Sequence, residues 1–251
     1  MKIIESKQNQ QVKEWKKLQS KKGRRKSGTF MIEGFHLIEE AIKSGVLITQ
    51  WIFDERTRDI PLDWEIPEHA HFVVSSKVMK EISETEKPQG AAAVCKQPEN
   101  LFKKDLNGKF LLIDEVQDPG NLGTMIRTAD AAGLDGVILG QGCVDPYNGK
   151  VLRATQGSLF HLPVFEGNLH EWVDRFKQQK VPVYGTALEG GQSYREVSNP
   201  TNFALIVGNE GSGVDASLLQ ESDQILFVPI SGQAESLNVS VAAGILLFGL
   251  N

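Results

Sequence analysis

Phe110-Leu111-Leu112-Ile113-Asp114-Glu115-Val116-Gln117-Asp118-Pro119-Gly120-Asn121-Leu122-Gly123-Thr124-Met125-Ile126-Arg127-Thr128-Ala129 is the stretch on which the fold turns. It opens with an apolar run that shows no polar alternation, passes through Asp, Pro and Gly, and then places Leu122, Met125, Ile126 and Ala129 at i, i+3, i+4 and i+7. A strand without alternation is buried on both faces, as strands of parallel sheets are. The second spacing is one face of a helix. A buried strand leading through a short turn into a helix is half of a βαβ unit.

The pattern repeats outward from this stretch. The spacing predicts further strands at Gly136–Leu139, Leu162–Phe165, Val183–Ala187, Phe203–Val207 and Gln224–Val228. Helices are predicted at Asn148–Thr155, Leu169–Gln178, Val214–Gln220 and Leu237–Leu250. Short β runs separated by helices argue for an α/β fold with a mainly parallel sheet covered on both faces. Upstream, a polar helix around Asn9–Ser20 runs into the basic segment KKGRRKSG, expected to be a turn. Strand Thr29–Glu33, helix Gly34–Lys43, strand Val46–Phe53, strand His71–Val74, a short helix and strand Ala91–Cys95 complete a small mixed domain. The polar stretch Lys96–Asn107 interrupts the apolar pattern, so the expected division is a domain at 1–96, a linker at 97–108 and a second domain at 109–251.

The chain has 251 residues, 40% hydrophobic and 24% charged, which is ordinary globular usage. This excludes disordered, collagen-like and coiled-coil chains. The opening MKIIESKQNQQVKEW has charges and no apolar core, and no window offers an apolar membrane span, so a cytoplasmic protein is expected. Cys95 and Cys143 fit no zinc or disulfide pattern, and no metal is expected. The net charge of −5 is unevenly spread: the first 26 residues hold ten Lys and Arg against two Glu, +8, leaving −13 on the rest. A basic end on an acidic body suits a polyanion partner, because phosphate contacts release counterions; a solvated basic helix is the plain alternative. Trp15 could stack a base, although packing on the first helix is the simpler reading.

In an open parallel sheet, ligands sit beyond the carboxyl ends of strands. Three loops there stand out. The first is Gln117–Gly123; Arg127 in the helix it opens falls off the apolar stripe, which an exposed helix arginine explains as readily as a functional one. The second is Gly208-Asn209-Glu210-Gly211-Ser212-Gly213, which lacks the phosphate-loop Lys and the dinucleotide glycine order. A carboxylate inside so tight a turn needs a partner, which tilts Glu210 toward function. The third runs Val228-Pro229-Ile230-Ser231-Gly232 to Ser236-Leu237-Asn238-Val239-Ser240, with Ser236 the expected N-cap of the last helix. His36, His69, His71, His161 and His170 share no motif with these loops and are assigned no catalytic role.

In order and spacing, these loops resemble the SpoU/TrmH family of RNA ribose 2′-O-methyltransferases, within the SPOUT superfamily. The family's first motif is matched by Asn121 and Arg127-Thr128-Ala129 with Gly133, and its second by Leu205-Ile206-Val207-Gly208-Asn209-Glu210 with Gly213. The third is matched by Val228-Pro229 with Gly232 and by Ser236-Leu237-Asn238-Val239-Ser240, Val228 standing where Ile is usual. The likeness is close over 110–251. Residues 1–96 resemble, less sharply, the ribosomal-protein-like RNA-binding domain that many members carry, through Phe30-Met31-Ile32-Glu33-Gly34 and Lys87-Pro88-Gln89-Gly90.

The resemblance implies a deep trefoil knot near the C-terminus and a homodimer with active sites at the interface. It implies S-adenosylmethionine as cofactor, held by Gly208, Val228, Ile230 and Leu237. It assigns catalysis to Arg127, with Asn121, Glu210, Ser236 and Asn238 in support, and Glu210 orienting Arg127 or an interface arginine. The implied substrate is RNA, rRNA before tRNA, docked on the basic N-terminal region, with neither DNA nor membrane as partner. A doubly wound nucleotide-binding enzyme would need a glycine fingerprint that the chain lacks. A non-catalytic RNA-binding protein with the same fold is disfavoured by Asn121, Arg127, Glu210 and Asn238 standing together.

Overall fold

The computed structural model describes residues 3–58, 60–61, 63–98 and 106–251. Most of the expected linker, residues 99–105, lies outside them. The chain divides into two units, Met1–Glu99 with Tyr147–Phe160, and Asn100–Pro146 with His161–Asn251. The expected domains differ from these units in residues 147–160, which lie far along the chain yet pack with the first unit.

The first unit begins with α1 (Gln10–Lys17), capped by Asn9, whose side chain accepts from the Gln11 N–H. The segment expected as a basic turn is a helix, α2 (Lys21–Ser27): the Ser20 side chain caps it and Gly28, with φ of +66°, ends it. Gly23 makes the sequence look broken here, but a cap at each end outweighs one glycine. Then follow β1 (Thr29–Glu33), α3 (Phe35–Lys43), β2 (Ile48–Asp54), β3 (His71–Val74), α4 (Ser76–Ile82) and β4 (Ala91–Lys96). The strands form a sheet in the order β1-β4-β2-β3, antiparallel except for β2 with β3. Trp15 is 1% exposed, donates to Gln50 Oε1 at 2.6 Å and meets Phe72 edge-on, so it is a core tryptophan. Arg24 is buried too, with Nη1 donating to the Leu18 carbonyl at 2.7 Å.

The second unit contains β5 (Lys109–Ile113), α5 (Pro119–Ala131) and β6 (Gly136–Leu139). Helix α6 (Gly149–Thr155) belongs to the first unit, where Tyr147 packs its ring 4.6 Å from Phe30. The second unit resumes with β7 (Val164–Glu166), α7 (Leu169–Gln178), β8 (Val183–Thr186), β9 (Gln192–Ser193) and β10 (Phe203–Val207), then α8 (Ala216–Glu221), β11 (Gln224–Phe227) and α9 (Val239–Leu250). Seven strands pair in the order β7-β6-β5-β10-β8-β11-β9, every pairing parallel. Phe110, Leu112, Ile138, Ala204 and Ile206 bury one face against Leu169, Trp172 and Phe176 of α7 and Leu218 of α8. Alternation turns Leu111, Ile113, Leu205 and Val207 to the other face, where α5 and α9 pack on each other. No helix of the described residues is long and apolar enough to cross a membrane.

Sheet order places the loops. From β5 the chain steps to β6 and β7 toward one edge, whereas β10, β8, β11 and β9 lie on the other side. The direction reverses between β5 and β10, and a crevice opens between their carboxyl ends.

Candidate active site

The crevice is closed on its α5 side by a chain of hydrogen bonds joining all three loops. Asp118 caps α5 by accepting from the Asn121 N–H at 2.7 Å, which fixes Asn121 in the first turn. Asn121 Nδ2 donates to Glu210 Oε1 at 3.0 Å, and its Oδ1 accepts from Asn238 Nδ2 at 2.9 Å. Glu210 also accepts from the backbone N–H groups of Asp118 at 3.2 Å and Gln117 at 3.4 Å. Partial burial pushes the Glu210 carboxyl up, but these hydrogen bonds, Asn121's foremost, outweigh it and hold the carboxyl below the usual range. Residues 121, 210 and 238, distant in sequence, form one network.

Asn238 does two jobs. Its Oδ1 accepts from the Ser240 N–H at 2.9 Å and the Ser240 hydroxyl at 2.6 Å, which makes it the N-cap of α9. The cap expected at Ser236 therefore falls two residues later, and Ser236 stands exposed in the preceding loop. The reason is the reach of the side chain: an Asx carboxamide can bond two residues ahead, and α9 starts at Val239.

Arg127 lies on α5 beyond Asn121 and is exposed. No hydrogen bond or ion pair joins its guanidinium to another described residue; the Glu210 oxygens expected to orient it accept instead from Asn121, Gln117 and Asp118. Within one chain, then, the Glu210–Arg127 bond is absent.

Gly208 is buried at the end of β10, and a Cβ there would lie 2.1 Å from Gly213 C and Val214 N. The close approach that demands glycine is to its own turn, closed by the Asn209–Gly213 bridge. Val228, Ile230 and Leu237 are half-buried along the loop after β11. Among the described residues, no backbone N–H between Val228 and Leu237 donates to a backbone carbonyl. That loop offers apolar side chains beside unspent donors, the chemistry an adenine-bearing ligand with a polar tail requires.

One participant in the network escaped the sequence reading. Asn209 Nδ2 donates to the Glu115 carbonyl at 2.8 Å while its Oδ1 accepts from Gly211 and Ser212, which ties the first loop to the second. Its signal was an Asn opening a glycine-rich turn. The loop after β8 opens at the same edge of the sheet, β8 lying between β10 and β11, and carries Leu188 at 64% exposure. A lone exposed leucine gives no sequence signal.

The profile of the SpoU rRNA Methylase family matches residues 108–248. The chain belongs to the SpoU rRNA methylase family. The profile of an MRM3-like substrate binding domain matches residues 9–93. Among SpoU relatives, the 23S rRNA (guanosine(2553)-2'-O)-methyltransferase RlmP of Bacillus subtilis (strain 168) is 55% identical, the alignment covering 100% of this chain and 99% of that one. The AdoMet-bound rRNA methyltransferase from Sinorhizobium meliloti superposes with a TM-score of 0.86 at 30% identity, covering 99% of this chain and 97% of that one. The crystal structure of an RNA 2'-O ribose methyltransferase superposes with a TM-score of 0.84 at 31% identity, covering 99% and 98%. The SpoU motifs thus fall on the three loops that the hydrogen-bond network joins.

Proposed function

We propose that this chain methylates a ribose 2′-hydroxyl of ribosomal RNA from S-adenosylmethionine, and that a guanosine of 23S rRNA is its target. The observation that carries the reading is the Asn121–Glu210–Asn238 network, which locks the three family motifs into one site; the full-length identity to RlmP supplies the substrate class. When bound, S-adenosylmethionine supplies an activated methyl group. Val228, Ile230 and Leu237 hold its apolar part and the open backbone of the 228–237 loop its polar part. Gly208 acts by letting the turn before that loop close.

The protein's own task is to place the ribose and to favour loss of the hydroxyl proton. A guanidinium keeps its proton in proteins, so Arg127 serves as a clamp on the target phosphate and as a stabiliser of the developing 2′-oxyanion. Asn121 and Asn238 fix the loops around the ribose, Glu210 holds Asn121, and Ser236 lies in the loop that closes on the cofactor. A second copy completes the site. Support for a homodimer comes from α9, which is apolar on all sides yet leaves Val241 at 50% and Phe248 at 59% exposure. The trefoil knot implied for the family near the C-terminus, the division into a domain at 1–96, a linker at 97–108 and a methyltransferase domain at 109–251, the ribosomal-protein-like RNA-binding role of the first domain, docking through the basic N-terminal helices, and a cytoplasmic location belong to the same reading.

The test is methyl transfer from labelled S-adenosylmethionine to undermethylated RNA, followed by alkaline digestion. The expected label lies in alkali-resistant dinucleotides from 23S rRNA. With Arg127→Ala it falls by about 10³-fold or more, while cofactor affinity stays within about twofold of wild type. Label on bases would overturn the ribose chemistry; cofactor affinity collapsing with Arg127→Ala would overturn the role of the arginine.

A further inference from the structure

The crevice between β5 and β10 has a second side, which the hydrogen-bond network does not fill. Toward α7 and α8 it widens into a cleft of about 540 Å³. Its floor is apolar, built from Leu169, Val214 and Leu218, all buried. Its polar lining includes Asp114 and Glu115, and neither Lys nor Arg is present. Gln141, Asn168, His170, Ser212 and Asp215 also line it, and with its carboxylates and no Lys or Arg the cleft favours a ligand that brings hydrogen-bond donors. Among the described residues no three His, Cys, Asp or Glu groups converge as a metal's ligands would.

Glu115 is specially placed. Its backbone is left-handed, φ +52°, a conformation uncommon outside glycine and found at functional turns. Its carbonyl is gripped by Asn209, the residue next to Glu210. Its side chain lies against Gly142 of the loop after β6, where the backbone φ of +87° already favours glycine and a Cβ would stand 3.0 Å from the Glu115 Cγ. Asp114 is buried and spends Oδ2 on the Asp215 N–H at 2.9 Å. No hydrogen bond or ion pair engages the Glu115 carboxylate within the described residues.

We propose that this cleft receives the base of the nucleotide whose ribose is methylated, and that Glu115 selects guanine by accepting from its adjacent N1–H and N2–H donors. Two parallel donors match two carboxylate oxygens. Adenine and cytosine set a ring-nitrogen acceptor beside their amino group and uracil sets carbonyls beside N3–H, so each turns an acceptor toward the carboxylate. A base taken out of a stack is read in this way, through its Watson–Crick edge between apolar surfaces. The inference rests on the methyltransferase reading and adds to it the residue that determines the base.

The experiment uses the full chain with two synthetic RNA fragments that carry the 23S target, one with guanosine and one with inosine there. Inosine lacks only the N2 amino group. The wild type is expected to lose about 10- to 100-fold in kcat/KM on inosine. Glu115→Gln is expected to lose about as much on guanosine and to treat the two RNAs alike, with S-adenosylmethionine affinity and melting temperature unchanged. Glu115→Gln that keeps the wild-type preference for guanosine, or a wild type indifferent to inosine, would overturn the assignment while leaving the enzyme class intact. Wild type that labels neither RNA would instead sink the methyltransferase reading, and this assignment with it.

Discussion

Glu210 sits in a turn that its neighbours built around it. Its oxygens accept from two backbone N–H groups and from Asn121, so its removal strands donors as well as a charge. Glu210→Gln is expected to cost about 1 kcal/mol in folding stability and to slow methylation by at least about tenfold. The carboxyl is held below its ordinary range, so its contribution is full above the unfolded carboxylate's pKa and is lost only as pH falls through the depressed folded value. Urea unfolding should therefore give the same gap between wild type and variant at pH 7 and at about pH 5, with the gap closing toward about pH 3. A gap that vanishes before pH 5 would mean that the carboxylate is not held low. The need of Glu210 for a partner was legible in the sequence; the identity of the partner was not. The expected Arg127 is on the same helix as Asn121, the observed partner, but Asn121 stands in the first turn beside the loop whereas Arg127 lies about 9 Å further along the axis.

At the scale of the element, α2 separates two meanings of a basic residue. Lys21, Lys22 and Lys26 face outward, whereas Arg24 is 3% exposed and bonded to the end of α1. Replacing the three lysines by alanine is expected to flatten the slope of log K against log salt for RNA binding by about 2, with stability little changed. Arg24→Ala is expected to leave that slope in place and to cost about 2 kcal/mol in stability. An unchanged slope in the triple variant would remove α2 from the RNA-docking surface. Charge counting treats these four positions alike; helical periodicity separates them once α2 is known to be a helix. Gly23 hid that helix from the sequence reading. The last helix shows the same limit: its apolar run was plain, but its start moved from Ser236 to Asn238, because a cap is chosen by the side chain that reaches the free N–H groups.

For the whole molecule, the surface of α9 matters most. A helix that is apolar on every side needs cover on every side, and the chain leaves Val241 and Phe248, seven residues apart on one face, uncovered. Phe248→Glu is expected to turn a dimer into a monomer of 27.7 kDa in sedimentation and to abolish methylation. A variant that still sediments as a dimer would place the interface elsewhere. Cofactor affinity measured alongside separates a lost partner from a lost fold.

The class of fold, the three loops and the family were all legible in the order of residues. Uninterrupted apolar runs, helical spacing and glycine turns are local patterns, and each is written within about a dozen neighbouring residues. Only the tertiary structure decided that Asn121 bonds Glu210 and Asn238, 89 and 117 positions away, that residues 147–160 pack with the first unit, and that an open cleft lies beside Glu115. The first and the last depend on the order of strands in the sheet, with β10 inserted beside β5. No local pattern encodes that order, because it is set by which buried faces fit together when the whole chain is folded.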